Sequence, residues 1–120
     1  MENEKQVKLP DWTWGFHGHR CPVMPIGYRM GVIAIRGLEM ERVKDHGAFA
    51  SPEMGMGHPQ TCMMDGIMSA TGCTYGKLAM ERLDCGTVAM VLYATDKGAV
   101  RIHLRSDFQD ELGKEESEHA

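Results

Sequence analysis

Several features that would point directly to a function are missing from this sequence. No apolar run is long enough to cross a membrane, and none of the four cysteines forms the C-x-x-C pair of zinc ribbons and thioredoxin-like proteins. The net charge of −4 provides no basic surface for nucleic acid. Because residues 1–10 are polar and unlike a signal peptide, we expect a cytoplasmic protein that binds neither membrane nor nucleic acid.

The length and composition predict one folded domain. A chain of 120 residues with 42% hydrophobic residues can bury a core without disulfide bonds. Eleven methionines are many, and we expect most of them to fill that core. We predict a polar arm over residues 1–10, the folded core over 11–108 and an acidic tail over 109–120.

Hydrophobic periodicity predicts two main helices. The first runs from about Pro25 to Val43, and the second from near Pro59 or Thr61 to Thr71. Gly27 and Gly31 lower the helix propensity of the first helix, so we expect another backbone to approach it closely, within the fold or across a dimer. One more helical turn is predicted over 78–83.

Strand patterns complete an α+β fold. Residues 87–95 are apolar and favour a strand, and residues 99–105 alternate strictly between apolar and polar. The two form a predicted C-terminal antiparallel hairpin, and residues 47–51 could form another short strand. Residues 12–16 also alternate, which favours a short extended stretch or an apolar anchor over the core; these aromatics could equally cap a pocket or contact a partner chain. We therefore expect helices packed on a small antiparallel sheet.

The densest chemistry lies in the motif H-x-H-x-C, formed by His17, His19 and Cys21. On an extended backbone these three side chains point to the same face. Imidazole nitrogen and thiolate sulfur are the usual ligands of Zn²⁺ and of other divalent transition metals of similar softness. Two alternatives remain open, a buried structural role for the cysteine and an exposed histidine patch without a function.

A second unusual feature lies on the second predicted helix. Cys62 and Asp65 share one stripe with Ser69 at helical spacing, beside an apolar stripe. If this stripe meets the H-x-H-x-C segment, the donors could form a metal site. Alternatively, Cys62 or Cys21 is a nucleophile with Asp65 or His17 as its base, or the stripe is a seam of small residues.

The sequence resembles the FmdE-like family, which comprises the core domain of the FmdE component of formylmethanofuran dehydrogenase and its stand-alone bacterial relatives. The resemblance is carried by HGHRCP, GYRMG, TCMMDGIMSATGCTYGK and GAVRI, in this order over residues 12–105. It implies an α+β core that assembles as a homodimer. The family's metal-site and active-site positions correspond to His17, His19, Cys21, Cys62 and Asp65, with Cys73 and Lys77 in the second block.

The chain also departs from the family pattern. Val23 stands where glycine usually follows Cys-Pro, and Met68 stands where glutamine is common. Leu78 and Ala79 replace the Gly-Asn pair that usually follows Gly-Lys.

Our leading hypothesis is a metal-binding protein, with His17, His19, Cys21 and Cys62 as ligands and zinc as the ion. By resemblance, it would serve a molybdenum or tungsten enzyme of one-carbon metabolism. The first alternative is a small metal- or thiol-dependent enzyme, with catalytic roles for Cys62 and Asp65 and, by resemblance, for Lys77. The second is a dimeric interaction module without catalysis.

Overall fold

Within the residues that it describes, the computed structural model contains a three-stranded antiparallel sheet and three α-helices. It describes residues 8–55 and 60–105. The predicted acidic tail over 109–120 and most of the predicted arm over 1–10 lie outside these residues. The helices are α1 (Asp11–His17), α2 (Met24–Gly37) and α3 (Cys62–Thr71), and the strands are β1 (Ala48–Pro52), β2 (Ala89–Ala94) and β3 (Gly98–His103). This confirms the predicted α+β fold.

The sheet has the order β1-β2-β3, and β2 and β3 form the predicted C-terminal hairpin. Leu92 pairs with Val100 and Met90 with Ile102, so their side chains share the face that meets α2. On β3, Arg101 and His103 lie exposed on the opposite face, as the alternation predicts. Among the described residues, six methionines are buried in the core, which confirms their packing role: Met24, Met30, Met54, Met63, Met80 and Met90.

Helices α2 and α3 pack so closely that glycine is required where they cross. A Cβ atom on Gly27 would collide with the backbone of Met63, and one on Gly66 with the backbone of α2. A Cβ on Gly31 would lie 2.7 Å from that of Ala70. The close approach predicted for Gly27 and Gly31 therefore occurs within the fold, so these glycines are no argument for a dimer.

Helix α1 replaces the extended stretch predicted for residues 12–16, so that prediction was wrong. Pro10 precedes the helix, and its carbonyl accepts a hydrogen bond from the Thr13 hydroxyl at 2.7 Å. Gly18 ends the helix in a left-handed conformation and donates its N–H to the Trp14 carbonyl. Helical spacing exposes Trp12 and Phe16 while it buries Thr13.

The other element boundaries differ less. Helix α2 ends at Gly37, earlier than the predicted Val43, because Glu39 adopts a left-handed conformation. Helix α3 ends at Thr71 with Gly72 as its left-handed cap, as predicted. The helical turn predicted for 78–83 is wrong: a 3-10 turn covers Tyr75–Lys77, and the chain then runs beside β1 with a bridge between Ala50 and Met80.

None of the helices within residues 8–55 and 60–105 combines the length and apolar character that a membrane span requires.

Candidate metal centre

Four donor side chains from three parts of the chain meet at one end of the helical layer. His17 is the last residue of α1, and His19 and Cys21 lie in the loop that leads to α2. Cys62 is the first residue of α3. One ligand atom from each of the four lies within 4.8 Å of all the others. This group could bind a metal ion.

The spacing of these atoms suits a small tetrahedral ion. In a tetrahedral zinc site with bonds of about 2.0–2.3 Å, neighbouring ligand atoms are roughly 3.3–3.8 Å apart. The distance from Cys21 Sγ to His17 Nε2 is already 3.6 Å. A pair of ligand atoms at the full 4.8 Å would have to come about 1 Å closer to reach this range.

Asp65 orients the imidazole of His17. His17 Nδ1 lies 2.7 Å from Asp65 Oδ2, and a proton on Nδ1 is donated to the carboxylate. That bond leaves the lone pair of Nε2 directed at Cys21. A carboxylate behind a histidine in this way fixes the tautomer that binds metal and makes its nitrogen more basic. In this geometry Asp65 supports the group through His17.

The two thiols have different surroundings. Cys21 Sγ accepts the N–H of Met24 at 3.2 Å, at the first residue of α2, where a helix favours negative charge. Cys62 is 4% exposed. Its burial, with the nearby Cys21 and Asp65, raises the pKa of the Cys62 thiol to about 11. A divalent cation would stabilise the Cys62 thiolate in these surroundings, because it takes the place of the thiol proton.

The outer side of the group is open to solvent. His19 is exposed, and its ring stacks at a tilt on that of His17, with 4.7 Å between the ring centroids. The guanidinium of Arg20 lies 4.8 Å from the centre of the Trp14 ring, which ties the loop to α1. We did not predict this contact from the sequence. The available signal was an arginine close to aromatic residues that can lie on a helix.

The remaining predicted site residues lie beyond the other end of α3. This helix of ten residues is about 15 Å long. Cys73 is fully buried and does not belong to the group of donors. Lys77 donates its ammonium to the carbonyl of Asp45 at 3.0 Å. The catalytic roles of Cys62, Asp65 and Lys77 stay predictions.

Comparison with known proteins decides the family. A family model described as "FmdE, Molybdenum formylmethanofuran dehydrogenase operon" matches residues 16–120, which contain all four donors and Asp65. The chain belongs to the FmdE family. This confirms the family resemblance found in the sequence.

A longer protein contains a segment similar to this FmdE chain. It comes from Archaeoglobus fulgidus and is named a probable S-adenosyl-L-methionine-binding protein. The two are 34% identical over 94 residues, which cover 77% of this chain. The FmdE chain spans about a quarter of that relative's length, since the match covers 25% of it.

Proposed function

We propose that this FmdE protein binds zinc through His17, His19, Cys21 and Cys62. The observation that carries the proposal is the group of four donor atoms within 4.8 Å of one another. The hydrogen bond of 2.7 Å between Asp65 and His17 supports the proposal, because carboxylates commonly accept a hydrogen bond from metal-bound histidines. We further propose that the protein acts as an accessory to a molybdenum or tungsten enzyme of the formylmethanofuran dehydrogenase type, in the cytoplasm and as a homodimer.

Zinc is the ion that suits this donor set best. Two sulfurs and two imidazole nitrogens match its preference for soft and borderline ligands in a tetrahedral shell. Two thiolates would also neutralise the charge of a divalent ion in this partly buried place. If exposed His19 gave way to water, the remaining ligands would form an open site that could polarise a bound oxygen.

Metal analysis of protein purified without a tag tests the zinc proposal. The wild-type chain should contain close to one zinc ion per chain, and Cys21→Ser should lose most of it. Cys85→Ser is the matched control, because Cys85 is exposed and outside the group of donors. A metal-free wild type prepared without oxygen, or equal zinc in the two variants, would contradict the proposal.

The accessory role is supported by the family description, which refers to a molybdenum formylmethanofuran dehydrogenase operon. Its test is purification of the protein from its native host under mild conditions, followed by elemental analysis and peptide mass spectrometry. We expect molybdenum or tungsten to co-purify with components of a large enzyme. If neither element accompanies the protein, the accessory role is wrong while zinc binding is unaffected.

One arrangement favours a thiol-dependent enzyme as the second candidate. Cys21 Sγ lies beside His17 Nε2, and Nδ1 of the same ring lies beside the Asp65 carboxylate. This is the order of nucleophile, base and orienting acid in thiol hydrolases. The raised pKa of buried Cys62 makes Cys21 the better nucleophile of the two thiols. Alkylation rates of the metal-free protein test this: fast modification of Cys21 that His17→Ala abolishes supports it, and slow modification contradicts it.

A further inference from the structure

The donor group contains two cysteine sulfur atoms, from Cys21 and Cys62. They belong to one group in which every pair of ligand atoms lies within 4.8 Å. A disulfide needs two sulfurs about 2.05 Å apart, on residues whose backbones are already close. Cys21 lies in the loop between α1 and α2, whereas Cys62 is fixed at the start of α3. The bond then needs the two sulfurs to approach from within 4.8 Å to about 2.05 Å.

We propose that Cys21 and Cys62 form a reversible disulfide when the metal-free protein meets a hydroperoxide. The disulfide would make the donor group an oxidation site as well as a metal site. Competition between this disulfide and zinc rests on the proposed function, whereas formation of the disulfide does not.

The chemistry has two steps. Cys21 attacks the peroxide, so Cys21–SH and H₂O₂ give the sulfenic acid Cys21–SOH and water. The Cys62 thiol then attacks the sulfenic sulfur, which forms the S–S bond and releases a second water. The two sulfurs are oxidised by two electrons in total, and the peroxide oxygens are reduced to water. A dithiol reagent reverses the reaction by thiol–disulfide exchange.

Exposure and hydrogen bonding assign the order of the two thiols. Cys21 is partly exposed, so a small peroxide can reach it, while Cys62 is 4% exposed. The Met24 N–H lies 3.2 Å from the Cys21 sulfur, and His17 Nε2, at 3.6 Å, can accept the proton that this thiol gives up in the attack. Cys62 waits inside the site as the resolving thiol.

The other two cysteines are poor partners. Cys73 lies past the far end of α3 and is fully buried. Cys85 is exposed and does not belong to the donor group. It supplies a measure of unspecific surface oxidation in the same molecule.

Once formed, the disulfide would remove two of the four donors. His17 and His19 alone make a weak zinc site, so oxidation and metal binding exclude each other. Zinc in turn would protect both sulfurs. Only the metal-free fraction of the protein reacts, so saturating zinc should slow disulfide formation by at least about tenfold.

The test is peptide mapping of the full-length protein after treatment with hydrogen peroxide. Metal-free and zinc-loaded samples are oxidised, blocked with an alkylating reagent and digested. Trypsin alone leaves Cys62 and Cys73 in the same peptide, because no lysine or arginine lies between residues 45 and 76. A second protease that cuts before aspartate separates them at Asp65. Cys85→Ser serves as a background without the exposed thiol, and circular dichroism checks that each sample is folded.

We expect one cross-linked species that joins the Cys21 and Cys62 peptides, disappears on reduction and forms slowly when zinc is bound. Cys62→Ser should instead accumulate sulfenic acid on Cys21, which a dimedone reagent detects. A disulfide that joins Cys85 to Cys21 or Cys62 as the main product, or over-oxidation of Cys21 in wild type without a bond to Cys62, would overturn the inference.

The failures of the two proposals can be told apart. If reduced protein binds no zinc in equilibrium dialysis yet forms the Cys21–Cys62 bond, the proposed function fails and the disulfide stands. If zinc binds and no such bond forms, the disulfide fails and the proposed function stands.

Discussion

The two ends of helix α3 carry similar residue types in different surroundings. At the start, Cys62 and Asp65 join one donor from the last residue of α1 and two donors from the loop that follows it. Past the end, Cys73 is enclosed, and burial raises the pKa of its thiol. Lys77 there holds the Asp45 carbonyl and so fastens the chain before β1.

This contrast shows that residue type alone does not make a site. Both ends offer a cysteine and a charged side chain within a few residues. Only the first end is met by another segment rich in donors, because α1 packs against α3 and its C-terminal loop crosses to α2. The second end is met by backbone: the N–H of Val43 bonds to the Thr71 carbonyl at 2.9 Å.

Replacing the cysteine at each end of α3 with serine should give the largest difference in zinc affinity. Cys62→Ser should weaken zinc binding by about a hundredfold to a thousandfold, since four ligands share roughly 10–16 kcal/mol. Cys73→Ser should leave the affinity within about threefold, because its cost falls on folding instead. Competition with a fluorescent chelator measures both values. Equal losses of affinity in the two folded variants would show that the ends are not distinct.

The middle of α3 tests whether close packing of the helices sets the position of the site. Gly66→Ala should destabilise the fold by roughly 3 kcal/mol, because its Cβ meets backbone atoms of α2 at Met24 and Tyr28. Gly76→Ala is the control, because nothing lies within 4 Å of its added Cβ; it should change stability by less than about 0.5 kcal/mol. Urea unfolding measures both, and a stable Gly66→Ala protein would contradict the close crossing.

Asp65 provides a finer comparison at the metal end. Asp65→Asn keeps the shape but weakens the hydrogen bond that holds His17, so zinc affinity should fall by about 10–100-fold with the stoichiometry unchanged. Asp45→Asn is the control at the other end, where the side chain accepts only the Gly47 N–H among the described contacts. An Asp65→Asn protein with wild-type affinity would remove Asp65 from the site.

The backbone conformation of Leu78, past the C-terminal end of α3, provides a further test. This residue adopts φ +56°, in the left-handed region, and its side chain is 79% exposed. Leucine there lacks packing that would offset a conformational cost of about 1–2 kcal/mol. Leu78→Gly should raise stability by up to about 1 kcal/mol in urea unfolding. A destabilised variant would mean that the exposed side chain has a partner.

Local signals in the sequence predicted much of the fold. The apolar stripe and Gly72 defined the end of α3, and alternation over residues 99–105 defined β3, because each pattern depends only on neighbours in the chain. Helix α1 was missed since the residues from Trp12 to Phe16 also alternate. Pro10 and Gly18, which start and stop a helix, were the stronger signal.

The candidate site was predictable in its residues but not in its geometry. His17, His19 and Cys21 were chosen for a shared extended face, yet His17 ends a helix and the other two lie in a loop. Their meeting with Cys62 depends on contacts between elements more than 40 residues apart, for which the sequence holds no local pattern. Equally, nothing local separated Cys73 from Cys62.

The smallest expected effect lies on the sheet, away from both ends of α3. The guanidinium of Arg101 on β3 forms two hydrogen bonds of 2.9 Å to Glu53, and this pairing lowers the pKa of the Glu53 carboxyl. A lowered pKa in the folded state adds stability above the unfolded pKa of about 4.3, and that stability is lost as the pH falls through the folded pKa. Since Arg101 is 48% exposed, solvent screens the pair and its contribution should be small. Glu53→Gln should therefore reduce stability slightly at pH 7 and match wild type near pH 2–3, as thermal unfolding across this range will measure. An equal difference at both pH values would mean that Glu53 stabilises the sheet by packing and not by charge.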